Sequence, residues 1–191
     1  MAFQRKRSES TDSDLSRTPE EWQERARNLL LNKLTRGPRS RFQLQQMLIK
    51  YEVPEDIAEE LLDRFTDVSL IDDAAFAKAY AHDRRATRGL SKAALKRELG
   101  KLGVAPQLIQ DALEGIENDD EYQLAVDLVR RRWNSVKNLD WQARQRRLSG
   151  FLGRRGFGGN IVSTAIRAVE QENRSSGHIP ATHNVDSRLS R

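Results

Sequence analysis

Apolar and polar positions along the chain repeat three times, in blocks that each match the 23 residues from Ser91 to Leu113. An earlier copy lies 51 residues before this block and a later copy 53 residues after it. Equivalent positions of the first two copies are Ser40, Leu44, Leu48, Val53, Ile57, Ala58, Leu61 and Leu62, matched by Ser91, Leu95, Leu99, Val104, Leu108, Ile109, Ala112 and Leu113. The third copy contributes Leu148, Leu152, Gly156, Phe157, Ile161, Val162, Ala165 and Ile166, matched to Leu95, Leu99, Gly103, Val104, Leu108, Ile109, Ala112 and Leu113. A repeat of this period is typical of stacked supersecondary units, so the chain is predicted to be a repeat protein.

Helical spacing with start and stop signals predicts nine helices in three triplets. Thr18, Pro19 and Glu21 form a capping-box pattern, and the first helix is predicted over residues 22–35, before Gly37 and Pro38. The remaining starts are predicted at Ser40, Pro54, Asp72 and Asp73, Ser91, Pro106, Asp119 and Asp120, Asp140 and Asn160, with the last helix ending near Gln171. No segment alternates apolar and polar residues with period two, so strands are not expected.

The predicted fold class is therefore all-α, a tandem array of three three-helix repeats, elongated and curved. The boundaries are an N-terminal tail at 1–17, repeats at 18–70, 71–118 and 119–172, and a C-terminal tail at 173–191. Both tails are charged and have little to bury, so they are predicted to be disordered. Arrays of this kind work as extended binding surfaces more often than as catalytic pockets.

Composition narrows the functional classes. The chain has no cysteine, which excludes disulfides, thiolate metal sites and cysteine nucleophiles. Its N-terminus lacks an apolar leader, and its apolar runs are far shorter than a membrane span. We therefore expect a cytoplasmic protein without membrane contact, and a monomer.

Charge alternates in bands that follow the repeats. Residues 52–73 carry nine acidic groups and one basic group, and residues 111–127 carry seven acidic groups and no basic one. Residues 84–101 carry seven basic groups and one acidic group, and residues 130–155 carry nine and one. Surface ion pairs contribute little and would not require such segregation, so the basic bands are the strongest functional feature.

Patterns that suggest catalysis have simpler interpretations. Asp72 with Asp73, and Asp119 with Asp120, could bind Mg²⁺ in a nuclease, but both pairs precede an apolar helix, as N-caps do. The glycine-rich stretch at 153–159 matches neither a P-loop nor a dinucleotide fingerprint, and Gly156 aligns with a turn at Gly103. His82, His178 and His183 form no ligand cluster. We predict no enzyme activity, no metal and no cofactor.

Several packing motifs follow one another along residues 22–171. Their residues are Arg39, Ser40, Leu44 and Leu48; Leu70, Ile71, Asp72, Asp73, Phe76 and Ala77; Gly89, Ser91, Leu95, Glu98, Leu99, Gly103 and Val104; and Leu148, Phe151, Leu152, Arg155, Gly156 and Phe157. In their order and spacing, rather than in any single motif, these residues resemble the RecX family, regulators of the RecA recombinase. Gln43 departs from the pattern, since relatives often have Glu there.

The resemblance implies a helical array that lies along the groove of the RecA–DNA filament and inhibits strand exchange, ATP hydrolysis and SOS co-protease activity. The implied partner is the RecA filament, with DNA, single- or double-stranded, contacted weakly or through RecA. We expect the basic bands and one tryptophan to make the contact: Arg84, Arg85, Arg88, Lys92, Lys96, Arg97, Arg130, Arg131, Arg132, Trp133, Arg144, Arg146, Arg147, Arg154 and Arg155. Trp141 is expected to pack.

Three alternatives stay open. The basic helical faces could bind nucleic acid directly, and binding to naked single-stranded DNA as tight as to RecA-coated DNA would favour this function. The chain could be a general helical adaptor without DNA or recombinase contact. A metal nuclease using Asp72 and Asp73 is the enzymatic alternative. Reversing Arg144, Arg146 and Arg147 to Glu is expected to abolish inhibition without changing helical content.

Overall fold

The structure is a computed structural model, and it describes residues 17–176. Within that range the chain forms nine α-helices and no strand. They are α1 Pro19–Leu34, α2 Arg41–Lys50, α3 Glu55–Asp67, α4 Asp73–Arg88, α5 Lys92–Lys101, α6 Pro106–Ala112, α7 Asn118–Trp133, α8 Trp141–Gly153 and α9 Gly159–Ser176. The predicted all-α fold is confirmed. Most of both predicted tails lies outside the described residues.

Polar side chains fix several helix starts where the sequence predicts them. Thr18 and Glu21 form a reciprocal capping box at α1, and Ser40 and Gln43 form one at α2. Gln43 accepts a hydrogen bond from the Ser40 backbone N–H at 3.2 Å, so an amide completes this box as a carboxylate would. Ser91 accepts from the Ala94 N–H at 3.1 Å and Asp140 from the Ala143 N–H at 2.8 Å, which caps α5 and α8.

α1 begins at Pro19, the first helical position in the predicted capping-box pattern, so this start signal is confirmed although the predicted range began at residue 22. Two other predicted boundaries are wrong. α7 begins at Asn118 behind the N-cap Glu117, whose N–H is satisfied by Asp120. α7 then continues to Trp133, so residues 134–140 form the link to α8. α9 continues to Ser176, past the predicted start of the C-terminal tail at residue 173.

Leucines at equivalent repeat positions form the core. Leu44, Leu95 and Leu148 in α2, α5 and α8 are each 0% exposed. The next leucine along each helix, at positions 48, 99 and 152, is also 0% exposed. Burying a leucine side chain stabilises a fold by about 1.5–3 kcal/mol, so these paired leucines are a main source of stability in every repeat. The register of the three predicted repeats is therefore confirmed.

The chain divides into two compact units. Unit 1 comprises the residues up to Ala86 together with Leu95–Glu114, and unit 2 comprises Thr87–Ala94 together with the residues from Gly115 onward. The core of unit 1 includes α1, α2 and α3, with Trp22, Leu30, Leu62 and Phe65 buried. The core of unit 2 joins α7, α8 and α9, with Val129, Phe157, Ile166 and Val169 buried. The middle repeat contributes residues to both units.

One turn glycine has a packing requirement. Gly103 follows α5 with a φ of +75°, a conformation that glycine adopts without strain. A Cβ added there would lie 2.2 Å from the Cβ of Phe42 on α2. Gly156, at the equivalent place after α8, has a φ of +86°, so the turn predicted for this glycine is confirmed.

Candidate functional site

An open groove lined by four arginines lies in unit 2. Arg132 near the end of α7, Arg146 and Arg147 on α8, and Arg154 just after α8 line it, and we call it the arginine groove. Ser135, Val136, Gly150 and Phe151 complete its wall, and its volume is about 510 Å³. All four arginines belong to the second predicted basic band. The structure therefore brings part of that band to one place.

Helical spacing explains why these side chains gather. Arg146, Gly150 and Arg154 are four residues apart, so they follow one another along the same side of α8. Gly150 offers no side chain, and a Cβ there would lie 3.4 Å from an Nη atom of Arg154. Leu148 and Leu152 on the same helix are fully buried in the core of unit 2. α8 therefore buries an aliphatic face and presents a cationic one.

The groove is strongly electropositive. Arg146 and Arg147 are exposed, and within residues 17–176 neither makes a salt bridge or a side-chain hydrogen bond. Next to them, Arg132 lies over the Phe151 ring at 5.5 Å and Arg155 at 3.8 Å. Burial lowers the pKa of Arg155, and the positive charges of Arg154, Arg132 and Arg88 lower it further. Cations that repel one another in this way favour an anionic ligand.

Arg155 holds the fold as well as bordering the groove. Its Nε donates to the Arg88 carbonyl oxygen at 2.9 Å, and one of its Nη atoms donates to the Phe151 carbonyl oxygen at 3.3 Å. The guanidinium is thus committed on two sides. Arg155 therefore adds positive potential to the arginine groove rather than free hydrogen-bond donors.

Arg144 and Arg130 are also engaged inside unit 2. Arg144 Nε lies 3.1 Å from Glu170 Oε1, and the two side chains are 15% and 10% exposed. The Arg144 guanidinium also lies 5.3 Å from the Trp133 ring centroid. Arg130 binds both carboxylate oxygens of Glu172, at 3.0 and 2.7 Å, and this pairing raises the pKa of Arg130. Both arginines join α9 to its neighbours and line no part of the arginine groove.

The two tryptophans of unit 2 differ in burial. Trp133 is half-buried, packs on the core of unit 2 and lies beneath Arg144. Trp141 is 57% exposed at the first residue of α8. The packing role predicted for Trp141 is therefore wrong. Because α7 continues to residue 133, Trp133 falls four residues after the buried Val129 and extends the same apolar face.

The first basic band is divided between the units. Arg84, Arg85, Lys96 and Arg97 belong to unit 1, whereas Arg88 and Lys92 belong to unit 2. Within unit 1, Arg84 lies 4.9 Å from the Tyr80 ring and pairs with Asp83 at 3.2 Å. Tyr80 donates to Glu98 at 2.7 Å, and burial raises the pKa of this phenol.

Of the other band residues, Lys96, Arg97 and Arg131 are exposed on their helices. Lys92 donates from its Nζ to the Ile116 carbonyl oxygen at 3.0 Å. None of these residues lines the arginine groove, which gathers four arginines of the second band.

The acidic residues at helix starts cap helices rather than converge on a metal. Asp72 accepts from the Ala75 N–H at 2.8 Å and so caps its own helix, α4. Asp73 accepts from the Arg41 N–H at 2.8 Å, which caps α2 of the preceding repeat. Within residues 17–176 no group of three or more His, Cys, Asp or Glu side chains could hold a metal ion. His82 is exposed, and His178 and His183 lie outside the described residues.

Sequence reasoning missed that this second kind of cap recurs. Glu121 at the start of α7 accepts from the Lys92 N–H at 2.6 Å, as Asp73 accepts from the Arg41 N–H. Arg41 and Lys92 are equivalent repeat positions, each following the serine cap of its helix. The first helix of one repeat thus supplies a carboxylate to the second helix of the repeat before it. The signal in the sequence was the acidic run that starts α4 and α7.

Models of three successive domains of one family match this chain. The first three-helix domain of RecX matches residues 26–65, the second matches 72–113, and the third matches 119–166. Each matched segment lies inside one of the three repeats predicted from the sequence. Among the described residues no helix is both long and apolar enough to cross a membrane.

Similar proteins carry the same family name. The regulatory protein RecX of Streptomyces coelicolor is 39% identical over 171 residues, which cover 89% of this chain and 91% of the relative. That of Thermobifida fusca is 40% identical over 162 residues, covering 85% and 86%. A crystal structure of RecX from Lactobacillus salivarius has a TM-score of 0.68 at 22% identity, covering 80% of this chain and 99% of that one. At this identity the last comparison supports the fold alone.

Proposed function

This chain belongs to the RecX family of regulatory proteins, and we propose that it binds the RecA–DNA filament and inhibits its activities. The resemblance read from the sequence is thereby confirmed at the level of the family. The inhibited activities would be strand exchange, ATP hydrolysis and SOS co-protease activity. Cytoplasmic location and a monomeric state stay predictions.

The arginine groove is the observation that carries the proposal. Guanidinium groups bind carboxylates and phosphates through two parallel hydrogen bonds, and a protein–DNA filament offers both kinds of anion. Arg146 and Arg147 keep their donors available, because they make no salt bridge or side-chain hydrogen bond with a described residue. Contacts of such cations to phosphate would also release counterions, which makes binding weaken as salt rises.

The structure changes which arginines a test should remove. Arg144 belongs to the predicted contact set, but its reversal to Glu would place a second carboxylate beside Glu170 in a largely buried position. The triple reversal of Arg144, Arg146 and Arg147 is therefore expected to disturb folding as well as binding. A double variant, Arg146→Glu with Arg147→Glu, removes groove cations and leaves that buried pair intact.

The test is the ATPase activity of RecA on single-stranded DNA, measured with and without this protein. We expect wild type to lower the steady-state rate and the double variant to lose this effect, with an unchanged circular dichroism spectrum. The matched control is Arg167→Glu with Arg174→Glu, which changes charge equally on exposed positions of α9 in the same unit. Inhibition by the groove variant equal to wild type would remove the arginine groove from the mechanism. If the groove variant and the α9 control variant lost inhibition equally, the net charge of the protein, and not the arginine groove, would account for the effect.

A further inference from the structure

A second cationic groove lies in unit 1. Of the cations that line it, only Lys101 belongs to a basic band. The groove is bounded by the C-terminal part of α1, by α2 and by the C-terminal end of α5, and its volume is about 1000 Å³. Five cations line it, and we call it the lysine groove: Lys33, Arg36, Arg39, Lys50 and Lys101. None of them is among the contact residues predicted from the sequence.

Helix ends bring these cations together. Lys33, Lys50 and Lys101 lie in the last turns of α1, α2 and α5, where the helix dipole favours positive side chains. Arg36 and Arg39 lie in the link between α1 and α2. Four of the five cations lie between residues 33 and 50, and α5 adds Lys101 from the next repeat.

The lysine groove is not neutralised by the acidic residues of its own repeat. No Asp or Glu lines it, and within residues 17–176 the three lysines and Arg36 make no salt bridge. The carboxylates of Glu59 and Asp63 on α3 pair instead with Arg41, at 2.7 and 2.8 Å. Positive and negative charges are therefore separated within the repeat, and the groove can attract a polyanion.

Exposed aromatic rings distinguish the lysine groove from a simple anion site. Tyr51, the C-cap residue of α2, is 43% exposed, and Phe42 at the other end of the helix is 41% exposed. Both line the groove together with the amide side chains of Asn32, Gln43 and Gln46. Rings stack on nucleobases of any sequence, whereas lysines follow the phosphate backbone. Amides can hydrogen-bond to base edges.

We infer that the lysine groove binds single-stranded nucleic acid directly. Lys50 and Lys101 would contact phosphates, and Tyr51 would stack on an unpaired base. An acidic protein segment would use the same cations but would gain much less from the exposed ring. Duplex DNA offers phosphates but no unpaired base to stack. This binding needs no recombinase, so it goes beyond the filament binding proposed above.

The test is fluorescence anisotropy of a labelled oligothymidylate of about 15 nucleotides, near the upper site size of small single-strand binding folds. Recombinase is absent, and every protein carries Arg146→Glu and Arg147→Glu so that the arginine groove does not contribute. Against this background Tyr51→Ala is expected to weaken binding by about 5- to 150-fold, the range that one stacked base supplies. Lys50→Gln with Lys101→Gln is expected to flatten the slope of log affinity against log salt by about 1.4.

Matched controls lie in the same unit. Ile49→Ala removes apolar surface from a 57% exposed position beside the groove, and it should leave the affinity unchanged. Arg27→Gln with Lys78→Gln removes two exposed cations that do not line the groove, and it should change the salt slope by less than the lysine pair.

The possible results separate the candidate ligands. No binding by the background protein, or undiminished binding by Tyr51→Ala, overturns the inference. If only the lysine variant loses oligonucleotide affinity, the groove binds polyanions in general. If a glutamate-rich peptide competes with the oligonucleotide as well as unlabelled oligonucleotide does, the groove binds acidic protein. Equally tight binding of a duplex of the same length also overturns it. None of these results bears on RecA inhibition, because no recombinase is present.

Discussion

Arg144 and Glu170 form the most buried ion pair among the salt bridges described for unit 2, and Arg144→Met tests whether this pair holds α8 to α9. The pair joins Arg144 Nε to Glu170 Oε1 at 3.1 Å, with 15% and 10% of the two side chains exposed. The guanidinium also lies near the Lys137 and Leu139 carbonyl oxygens, both at 3.4 Å, and stacks on Trp133. Methionine keeps much of the length and apolar contact of arginine but removes the charge and the donors.

The expected loss in the free energy of unfolding follows from the Glu170 carboxylate, which Arg144→Met leaves without its partner. Removing one partner of a buried ion pair costs about 3–5 kcal/mol, because the remaining charge is buried without compensation. The residual exposure of Glu170 places the expected loss near the lower end, at about 3 kcal/mol. With a urea m-value of about 2 kcal/mol per molar, the unfolding midpoint of unit 2 should fall by about 1.5 M.

Urea unfolding can be followed by circular dichroism and by tryptophan fluorescence, to which Trp133 and Trp141 of unit 2 and Trp22 of unit 1 contribute. Arg146→Met is the control, and as an exposed change without a partner it should stay within about 0.5 kcal/mol of wild type. Replacing Arg144 and Glu170 together by methionine should recover most of the loss, because a well-packed apolar pair can be as stable as a buried ion pair. A cost below about 1 kcal/mol for Arg144→Met, with no coupling to Glu170, would refute the reasoning.

Two further predictions concern single carboxylates. Glu121→Ala removes the acceptor of the Lys92 N–H at 2.6 Å and should lower the free energy of unfolding by about 1–2 kcal/mol, as loss of a helix cap does. Asp119→Ala, in the same first turn, is the denaturant-unfolding control, and equal losses would contradict an inter-repeat cap. The hydrogen bond from Arg130 lowers the pKa of Glu172 below its usual 4.5, so the stabilising charge is present above pH 4.5 and is lost as pH falls further. The stability difference between wild type and Glu172→Gln should therefore shrink on acidification below pH 4.5, and a difference independent of pH would argue against the pair.

Local signals were enough to predict most of the fold. The leucines that recur at positions 44, 95 and 148 are all fully buried, because helical periodicity alone decides which side of a helix meets a core. Thr18, Ser40, Ser91 and Asp140 cap helices as expected, since a cap is an interaction between residues two or three positions apart. Errors arose at helix ends, where the first and last turns lack the full ladder of hydrogen bonds.

The functional surface was harder to predict than the fold. A band of basic residues fixes the sign of the charge but not which guanidinium is free. Arg144 and Arg146 are two residues apart on α8, yet one is paired with Glu170 and the other is exposed. Successive residues on a helix point about 100° apart, so neighbours in sequence meet different surroundings.

The sequence by itself determined the repeat, the helical core, the main caps and the family to which the chain belongs. All of these depend on residue type and on spacings of a few positions. Only the tertiary structure decided which charges remain free, because a salt bridge such as Arg130 with Glu172 joins residues 42 positions apart. The lysine groove depends in part on the same fact, since the fold brings Lys101 of α5 beside cations that lie between residues 33 and 50.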